Sequence, residues 1–223
     1  MHAPRPFEEK VAPHRTAVVV VDYQHDFVSP GGALDRAGLF HPNLGEIAPT
    51  VAAVADAGRA AGCLVVFVRC HFDRERYLSE AFLEQAARRY RGLYVDLPVC
   101  VAGTLGAEFA GGLAPTERDV VVTKHRFSAF EGTDLDLVLR THDIRTLVVM
   151  GVVTHVCVES TVRDAFFSDY SPVVLEDAVA GWQPDWHRTS LEVMDWGFAE
   201  VVSASRLLVA WEGADRTAVS SGS

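Results

Sequence analysis

Three residues of different chemical type stand at or just after the ends of apolar runs that lie far apart in the sequence. Asp22 closes the run TAVVVVD, Lys124 directly follows DVVVT, and Cys157 comes shortly after the glycine that ends TLVVMG. A thiol, a carboxylate and an ammonium group can serve together as a nucleophile, its base and a stabilising charge. If the fold brings them together, they predict cleavage of a carbonyl compound through a covalent thioester.

Six short apolar runs predict the strands that would position these residues. The runs are rich in valine and nearly continuous rather than alternating, which is typical of strands buried on both faces of a parallel sheet. They are Thr16–Asp22, Cys63–Arg69, Asp119–Thr123, Thr146–Gly151, Pro172–Glu176 and Glu200–Ala204.

Stretches with helical character lie between the runs and predict a fold of the α/β class. The predicted helices are Leu44–Ala61, Leu78–Arg91, Asp134–Thr141, Val156–Phe167 and Trp186–Trp196. Alternating strands and helices imply right-handed crossovers, hence a single-domain, doubly wound, six-stranded, mostly parallel sheet with helices on both faces. Ligands of such sheets bind beyond the carboxyl ends of the strands. We therefore expect Asp22, Lys124 and Cys157 to share one edge.

The chemistry expected at this edge is hydrolysis of an amide. A thiol attacks a carbonyl carbon as the thiolate. Both the first turn of a helix that starts near His155 and the Lys124 ammonium group would favour that charge on Cys157. Asp22 would take the thiol proton and return it to the departing nitrogen. Water would then cleave the thioester, which yields an acid or a carbamate together with ammonia or an amine.

Each of the three residues also has an ordinary structural interpretation. A cysteine between a strand and a helix is often a small buried residue, an aspartate after a strand is often a turn former, and a lysine there is often a solvated charge. A non-catalytic binding or redox-sensing protein, in which a reactive Cys157 is oxidised rather than acylated, is the alternative from another class.

Composition limits the partners and the location. The chain has 223 residues and a formal net charge of −10, and so acidic a surface repels the phosphate backbones of nucleic acids. No apolar run reaches the roughly 20 residues that span a bilayer, and the N-terminus shows no signal-peptide pattern. We expect a cytoplasmic enzyme that uses no cofactor and binds a small molecule, without a nucleic-acid or membrane partner.

The sequence predicts one domain with two loose ends. Residues 1–15 are polar and hold three prolines, and they are expected to be an N-terminal extension. The domain itself is expected to cover residues 16–213. Residues 214–223 (ADRTAVSSGS) have the composition of a disordered tail.

Three motifs resemble the isochorismatase-like cysteine hydrolases. They are VVVVDYQHDF (Val18–Phe27), KHRFSAFEGTDLDLVLR (Lys124–Arg140) and VVMGVVTHVCVESTVRDAFFSDY (Val148–Tyr170), and the resemblance runs from about Thr16 to Leu208. It implies an Asp–Lys–Cys triad at Asp22, Lys124 and Cys157 and a homo-oligomer, either a dimer or a tetramer. Within the family the chain looks nearest to ureidoacrylate amidohydrolase, biuret hydrolase and N-carbamoylsarcosine amidase. An amide or ureide of the N-carbamoyl type is therefore the favoured substrate.

The resemblance also implies a cis peptide bond before the helix, and the bond between Val153 and Thr154 in GVVTHVC matches that position. Its expected use is to aim backbone N–H groups at the oxyanion that carbonyl attack creates. Cys157 and Val156 are the predicted donors. The oxyanion region is thus predicted to comprise Val153, Thr154 and Val156.

The resemblance leaves two related hydrolases as alternatives. Nicotinamidases carry a metal site after the second strand, but here the aspartate two places before His71 is missing, and His71 with Asp73 would make a poor site. We therefore expect no catalytic metal. True isochorismatases lack the nucleophilic cysteine, so the presence of Cys157 argues against that reaction. A nicotinamidase-like or an isochorismatase-type hydrolase remains the alternative assignment within the family.

Further residues near the motifs are candidates for contact with the substrate. A glutamine two places past Asp22 could orient that carboxylate or bind a substrate carbonyl, and His155 stands where many family members have asparagine. Aromatic residues in the motifs and after the fifth strand could wall or cap the pocket. Core packing is the alternative for the phenylalanines, and a contact with a neighbouring subunit is the alternative for Trp182. For His155 the alternative is a side chain that points to solvent or to a neighbouring subunit. The predicted substrate-binding residues are Gln24, Phe27, Phe127, Phe130, His155 and Trp182.

Overall fold

A parallel sheet forms the centre of the protein. The computed structural model describes the backbone of residues 4–220 and the side chains of residues 4–213. In this part of the chain, six strands form one sheet in the order β3-β2-β1-β4-β5-β6, and every neighbouring pair is parallel. The strands are β1 Thr16–Val21, β2 Leu64–Cys70, β3 Val120–Lys124, β4 Thr146–Val152, β5 Ser171–Ala180 and β6 Glu200–Val202. The six predicted strands are confirmed, and the sheet is parallel throughout rather than mostly parallel.

Burial explains which strands lie in the middle of the sheet. Every residue of β1 and β4 is buried, whereas β3 at one edge includes partly exposed positions. A valine side chain that is fully buried contributes roughly 1.5–3 kcal/mol relative to an exposed one. The continuous valine runs therefore stabilise the two central strands, with helices covering both faces.

Helices connect the strands on both faces of the sheet. The connection from β1 to β2 runs toward one edge and the connection from β4 to β5 runs toward the other. Right-handed crossovers therefore place their helices, α5 and α9, on opposite faces, where α5 packs with α11 and α9 packs with α10. The α-helices in residues 4–220 are α1 Phe7–Lys10, α2 His25–Val28, α3 Ala33–Arg36, α4 Asn43–Glu46, α5 Ala48–Ala61, α6 Arg74–Tyr77, α7 Glu80–Arg89, α8 Leu135–Thr141, α9 Glu159–Phe167, α10 Pro184–Gly197 and α11 Ala204–Ser220.

The strand order creates a crevice at the centre of the sheet. The chain leaves β1 toward β2 and leaves β4 toward β5, so the connections diverge from the neighbouring strands β1 and β4. Such a switch point, at the carboxyl ends of the strands, is where ligands bind in open parallel sheets. Within the described residues, no helix combines the length and the hydropathy that a membrane span requires.

Parts of both predicted loose ends have regular secondary structure. Phe7 and Val11, in the predicted extension 1–15, are buried in the core, and Trp211 Nε1 donates to Val11 O at 2.9 Å. The last helix, α11, continues to Ser220 and includes residues 214–220 of the predicted disordered tail. Residues 1–3 and 221–223 lie outside the described part. Segments this short give too few turns for a periodic pattern to be recognised.

Candidate active site

The three residues at the strand ends meet at the carboxyl edge of the sheet. Asp22 follows β1, Lys124 ends β3, and Cys157 lies in the turn after β4. Lys124 Nζ is 2.7 Å from Asp22 Oδ2 and donates to Cys157 Sγ over 3.5 Å. Asp22 and Lys124 are fully buried, and Cys157 is 5% exposed. Solvent ions therefore screen the attraction between these groups much less than they would at the surface.

The backbone at Asp22 turns the carboxylate out of the sheet. Its φ is +50°, in the left-handed region, which aspartate tolerates better than β-branched residues do. Its N–H still donates to Val68 O at 2.9 Å, so pairing with β2 continues to the residue at which the chain turns. The valine run thus ends in an aspartate whose buried carboxylate lies beside Lys124.

Lys124 is a buried ammonium group with several partners. Beyond Asp22, its Nζ donates to Cys70 Sγ and to Arg126 O, both at 2.9 Å. Burial alone would lower the pKa of Lys124, but the charge of Asp22 and that of a thiolate at Cys157 raise this pKa well above its ordinary value. Lys124 is therefore a cation at neutral pH and favours a thiolate at Cys157.

A π-helical turn, Thr154–Val158, presents Cys157 before α9 begins. The chain enters this turn from Gly151, which has a φ of +116° and pairs with Val21 of β1. A side chain at Gly151 would collide with Val21 O. Glycine is therefore the residue that lets β4 approach β1 closely just before the nucleophile.

The backbone of the turn corrects two predictions. The cis peptide bond joins Val152 and Val153, so the predicted position between Val153 and Thr154 is wrong by one residue. The motif marks the turn, but it does not show that β4 extends through Val152. The Val156 N–H donates to Val153 O at 3.0 Å, and it is therefore not the free donor that we predicted. Thr154 Oγ1 is hydrogen-bonded to His187 Nδ1 at 2.9 Å.

Cys70 joins the cluster as a fourth group. A carboxylate oxygen of Asp22 and the Sγ atoms of Cys70 and Cys157 all lie within 4.8 Å of one another. Burial raises the pKa of Cys70 well above its ordinary value, and a hydrogen bond with Cys157 and the charge of Asp22 raise it further. Cys70 is thus a neutral thiol. The position of Cys70 at the end of a strand can be seen in the sequence. Its contact with Lys124 cannot, because that contact depends on the strand register that pairs the two residues.

The side chains of Asp22, Cys70 and Cys157 are of the types that bind metal ions. Lys124 Nζ lies among them, however, 2.7 Å from Asp22 Oδ2 and 2.9 Å from Cys70 Sγ. A metal ion there would be repelled by the ammonium charge. These three side chains therefore fit the lysine cation rather than a metal ion. The absence of a catalytic metal stays a prediction.

Of the two candidate metal ligands, Asp73 uses its side chain in local structure, and His71 contributes a backbone contact. Asp73 Oδ1 accepts from the N–H groups of Glu75 and Arg76 at 3.1 and 3.2 Å and caps α6. The carbonyl oxygen of His71 is hydrogen-bonded to His125 Nδ1 at 2.6 Å. Neither residue belongs to the group of potential ligands found in residues 4–213.

A cavity of about 880 Å³ opens at Cys157. Four of the predicted substrate-binding residues line it, namely Phe27, Phe127, His155 and Trp182. Its other wall comes from α7 and the loop that follows, a segment for which the sequence predicts no site residue. That segment contains no motif, and its contribution arises from tertiary packing. Its lining residues include Gln85, Arg89, Arg91, Leu93 and Tyr94.

Gln24 does not reach the cavity, so its predicted contact with substrate is wrong. The side chain is fully buried. Its Oε1 accepts from the Cys70 N–H at 2.7 Å, and its Nε2 donates to Cys70 O at 3.0 Å and to Ala107 O at 2.7 Å. The amide group is thereby occupied on both sides. It fixes the end of β2 and so positions the thiol of Cys70.

Phe130 also lies away from the cavity, and the prediction that it walls the site is wrong. Its ring packs against Tyr170 with 5.9 Å between the ring centroids. The N–H of the preceding residue, Ala129, donates to Thr161 Oγ1 at 3.0 Å. This bond holds the loop after β3 against α9 and directs Phe130 to that side.

His155 is a half-buried imidazole between two tryptophans. Its ring meets Trp182 and Trp186 edge-on, with 4.6 and 5.3 Å between the ring centroids. Both ring nitrogens are buried, and neither has a hydrogen-bond partner in the described part of the chain. Burial lowers the pKa of His155 to about 4, the charge of His187 lowers it too, and Glu159 opposes the shift. His155 is therefore neutral at pH 7.

The lowered pKa of His155 predicts a pH dependence of stability. The unfolded chain has a histidine pKa of about 6.5, so between about pH 6.5 and pH 4 it binds more protons than the folded chain, and stability falls as the pH falls. In urea unfolding at pH 7.5 and pH 5, we expect wild-type protein to lose more stability than His155→Asn. His187 is retained in both proteins. An equal loss would contradict this account of His155.

The chain belongs to the isochorismatase family. The family model for the isochorismatase domain matches residues 16–206, which include Asp22, Lys124 and Cys157. The resemblance to the isochorismatase-like cysteine hydrolases is thereby confirmed. The protein is a hydrolase of this family.

Several solved structures are similar to the chain over most of its length. A cysteine hydrolase from Pseudomonas syringae pv. phaseolicola is 32% identical, with a TM-score of 0.77 over 91% of this chain and 94% of that one. A pyrazinamidase of Pyrococcus horikoshii in complex with zinc is 31% identical, with a TM-score of 0.70 over 85% and 99%. An N-carbamoylsarcosine amidase from Thermoplasma acidophilum is 27% identical, with a TM-score of 0.69 over 85% and 96%.

Proposed function

We propose that the protein is a cysteine-dependent amidohydrolase that cleaves a C–N bond of a small amide or ureide through a thioester on Cys157. The observation that carries the proposal is the buried cluster at the cavity. In it, Lys124 Nζ lies 2.7 Å from Asp22 Oδ2 and 3.5 Å from Cys157 Sγ. Two of the similar structures bear the names of amidases, which supports this reaction class.

The first half of the proposed reaction forms the acyl-enzyme. Asp22 accepts the thiol proton, and Lys124 stabilises the thiolate. Cys157 Sγ then bonds to the carbonyl carbon while the carbonyl π electrons move onto oxygen. The Val156 N–H is occupied, so we assign the backbone N–H groups of Cys157 and Val153 as donors to this oxyanion. When the carbonyl re-forms, the C–N bond breaks, and Asp22 returns its proton to the leaving nitrogen.

The second half returns the enzyme to its starting state. Water attacks the thioester carbon, and Asp22 accepts the proton that the water loses. The C–S bond breaks as the carbonyl re-forms, which releases the acid or carbamate, and Asp22 returns its proton to the departing sulfur to restore the thiol. Lys124 remains protonated throughout, and it stabilises the carboxylate and the thiolate in turn. No step requires a cofactor.

The charge of the cavity supports substrates that carry a carboxylate. The chain has a formal net charge of −10, yet no aspartate or glutamate is found among the described residues that line the cavity. Arg89 and Arg91 both line it, and arginine suits recognition of a carboxylate. N-carbamoyl amino acids combine a ureide with a carboxylate, and they are the compounds we favour. The cavity size falls within the range of small-molecule sites.

A nicotinamidase-like activity is the second candidate. Aromatic side chains of Phe27, Phe127, Trp182 and Trp186 line the cavity, and they could stack on a heteroaromatic ring. The 31% identity to the zinc-bound pyrazinamidase also favours it. The two candidates differ in the compound that is hydrolysed and in the expected effect of a chelator, since the cluster around Lys124 predicts activity without a metal.

The proposal is tested by ammonia release over a panel of small amides. The panel contains N-carbamoyl amino acids, ureidoacrylate analogues, biuret, nicotinamide and simple aliphatic amides, each with and without a chelator. We expect release from N-carbamoyl compounds that the chelator does not reduce. Release from nicotinamide alone, abolished by the chelator, would support the second candidate. Folded protein that releases ammonia from no compound would contradict the amidohydrolase.

A further inference from the structure

Two cysteine thiols lie close together beside the cavity. Cys70 Sγ and Cys157 Sγ are within 4.8 Å of each other, in the group that also contains a carboxylate oxygen of Asp22. Lys124 Nζ donates to both sulfur atoms, at 2.9 Å to Cys70 and at 3.5 Å to Cys157. A disulfide bond joins its sulfur atoms at about 2.05 Å, so these two would have to approach each other by less than about 3 Å to form one.

The cavity gives access to one of the two thiols. Cys157 lines the cavity and is 5% exposed. Cys70 is fully buried, and it is not among the described residues that line the cavity. A small solute that enters the cavity therefore meets Cys157 Sγ before it can meet Cys70 Sγ. An accessible thiolate with a second thiol beside it is the arrangement typical of cysteines that are oxidised reversibly.

The other two cysteines of the chain lie outside this pair. Cys63 precedes β2 at the amino end of the strand, whereas Cys70 ends the strand. Cys100 Sγ contacts the carbonyl oxygen of Gly106 at 3.6 Å. Neither Cys63 nor Cys100 belongs to the group of sulfur and carboxylate atoms found in residues 4–213. Cys70 is therefore the cysteine placed to react with an oxidised Cys157.

The charged groups of the cluster assist both thiols. The Lys124 ammonium group favours a thiolate at Cys157, which is the form that peroxides oxidise. Burial raises the pKa of Cys70, and a hydrogen bond with Cys157 and the charge of Asp22 raise it further. Cys70 is therefore a thiol in the reduced protein. It ionises when Asp22 accepts its proton and Lys124, 2.9 Å from its sulfur, stabilises the thiolate.

We propose that Cys157 and Cys70 form a redox modification site, at which a peroxide converts the two thiols into an intramolecular disulfide. The inference goes beyond the proposed function, since it requires a thiolate at Cys157 but no amide substrate. The disulfide would occupy the sulfur atom that attacks the carbonyl carbon. It would also protect Cys157 from conversion to the sulfinic and sulfonic acids, which thiol reductants do not reverse.

Hydrogen peroxide supplies the oxidising equivalents in two steps. The Cys157 thiolate attacks one peroxide oxygen, the O–O bond breaks, and the departing hydroxide takes up the proton that the thiol had lost, which gives a sulfenic acid and water. The Cys70 thiolate then attacks the sulfur of the sulfenic acid, the S–O bond breaks, and the departing hydroxide takes up the Cys70 proton from Asp22. Two thiols are thus oxidised to one disulfide while one peroxide is reduced to two water molecules.

Peptide mass spectrometry tests the inference, because trypsin separates these two cysteines from the others. Cleavage after arginine places Cys70 in the peptide 70–74 and Cys157 in the peptide 146–163, each without another cysteine. The purified protein is treated with hydrogen peroxide, blocked with iodoacetamide and digested without reductant. We expect the two peptides to be joined with the loss of two hydrogen atoms, in a chain that still migrates as a monomer on a non-reducing denaturing gel. Dithiothreitol added before the blocking step should restore both thiols.

Two serine variants measure what Cys70 contributes. Without its partner thiol, Cys157 in Cys70→Ser is oxidised further. After peroxide and then dithiothreitol, we expect at least about threefold more sulfinic and sulfonic acid at Cys157 in this variant than in wild type. Cys63→Ser removes a thiol outside the cluster, and we expect it to match wild type within about twofold. The wild-type disulfide needs no variant, so that measurement decides even if Cys70→Ser does not fold.

Several results would overturn the inference. They are wild-type Cys157 that becomes sulfinic or sulfonic acid without the joined peptides, Cys157 joined to another cysteine, Cys157 left unmodified by peroxide, or equal recovery of the thiol in both variants. The joined peptides form without an amide. Their formation in a protein that releases no ammonia would therefore contradict only the proposed function, and ammonia release without a disulfide would contradict only this inference.

Discussion

Replacing Cys157 with alanine is expected to abolish ammonia release from every compound that the wild-type protein hydrolyses, with a loss of about 10⁴-fold or more. The reason is that Sγ forms the bond to the carbonyl carbon, and no other group at the cavity can replace it. Cys70 does not, because burial raises its pKa well above the ordinary value and keeps it a neutral thiol. The measurement is steady-state ammonia release by the purified variant.

Cys63→Ala is the matched control for this prediction. Burial raises the pKa of Cys63 to about 12, and this cysteine precedes β2 at the amino end of the strand, opposite the edge that holds the cluster. The substitution is the same and removes a free thiol, so we expect activity within about twofold of wild type. Activity retained by Cys157→Ala, or an equal loss in both variants, would contradict the assignment of the nucleophile.

Replacing Lys124 with methionine is expected to impair both catalysis and folding. The variant leaves the fully buried Asp22 carboxylate without its cation, and such a change costs about 3–5 kcal/mol of unfolding free energy. The thiolate at Cys157 loses the ammonium group that lies 3.5 Å away, so we expect ammonia release to fall by at least about 100-fold. Urea unfolding and the ammonia assay measure the two effects.

Two further variants separate the causes of the Lys124 effect. Lys10→Met breaks the partly exposed ion pair with Glu200, whose atoms are 2.6 Å apart, and is expected to cost no more than about 1 kcal/mol. Asp22→Asn combined with Lys124→Met removes both buried charges, and it is expected to recover stability without recovering activity. If Lys124→Met and Lys10→Met were equally stable, the buried ion pair would not make the predicted contribution to the free energy of unfolding.

The sequence was sufficient for the sheet and for the three residues at its edge, for physical reasons. Continuous valine runs are a local pattern, because a strand buried on both faces requires an apolar residue at every position. Parallel strands bring their carboxyl ends to the same edge of the sheet, however the strands are connected. Asp22, Lys124 and Cys157 could therefore be placed together without knowledge of any distance.

Only part of the cavity wall could be predicted from the sequence. Tyr94 lies in a loop without periodicity, and its position depends on rings contributed by the segment after β2, by α7 and by the loop itself. Gln24 is close to Asp22 in the sequence, but its side chain turns to the end of β2 because the backbone groups of Cys70 need partners there. Phe130 is inside a motif, yet a hydrogen bond from Ala129 to Thr161 directs its ring elsewhere. These outcomes are decided by tertiary hydrogen bonds and packing.

The central claim is that Cys157 becomes acylated during turnover. Its most direct test is rapid acid quenching of the wild-type protein with a hydrolysed substrate in excess, followed by mass spectrometry of the peptide that contains Cys157. The account predicts an added acyl or carbamoyl mass on Cys157 that appears with substrate, disappears as substrate is exhausted and is absent from Cys157→Ala. Acylation at another residue, or turnover in which Cys157 gains only oxygen atoms or no mass at all, would contradict it.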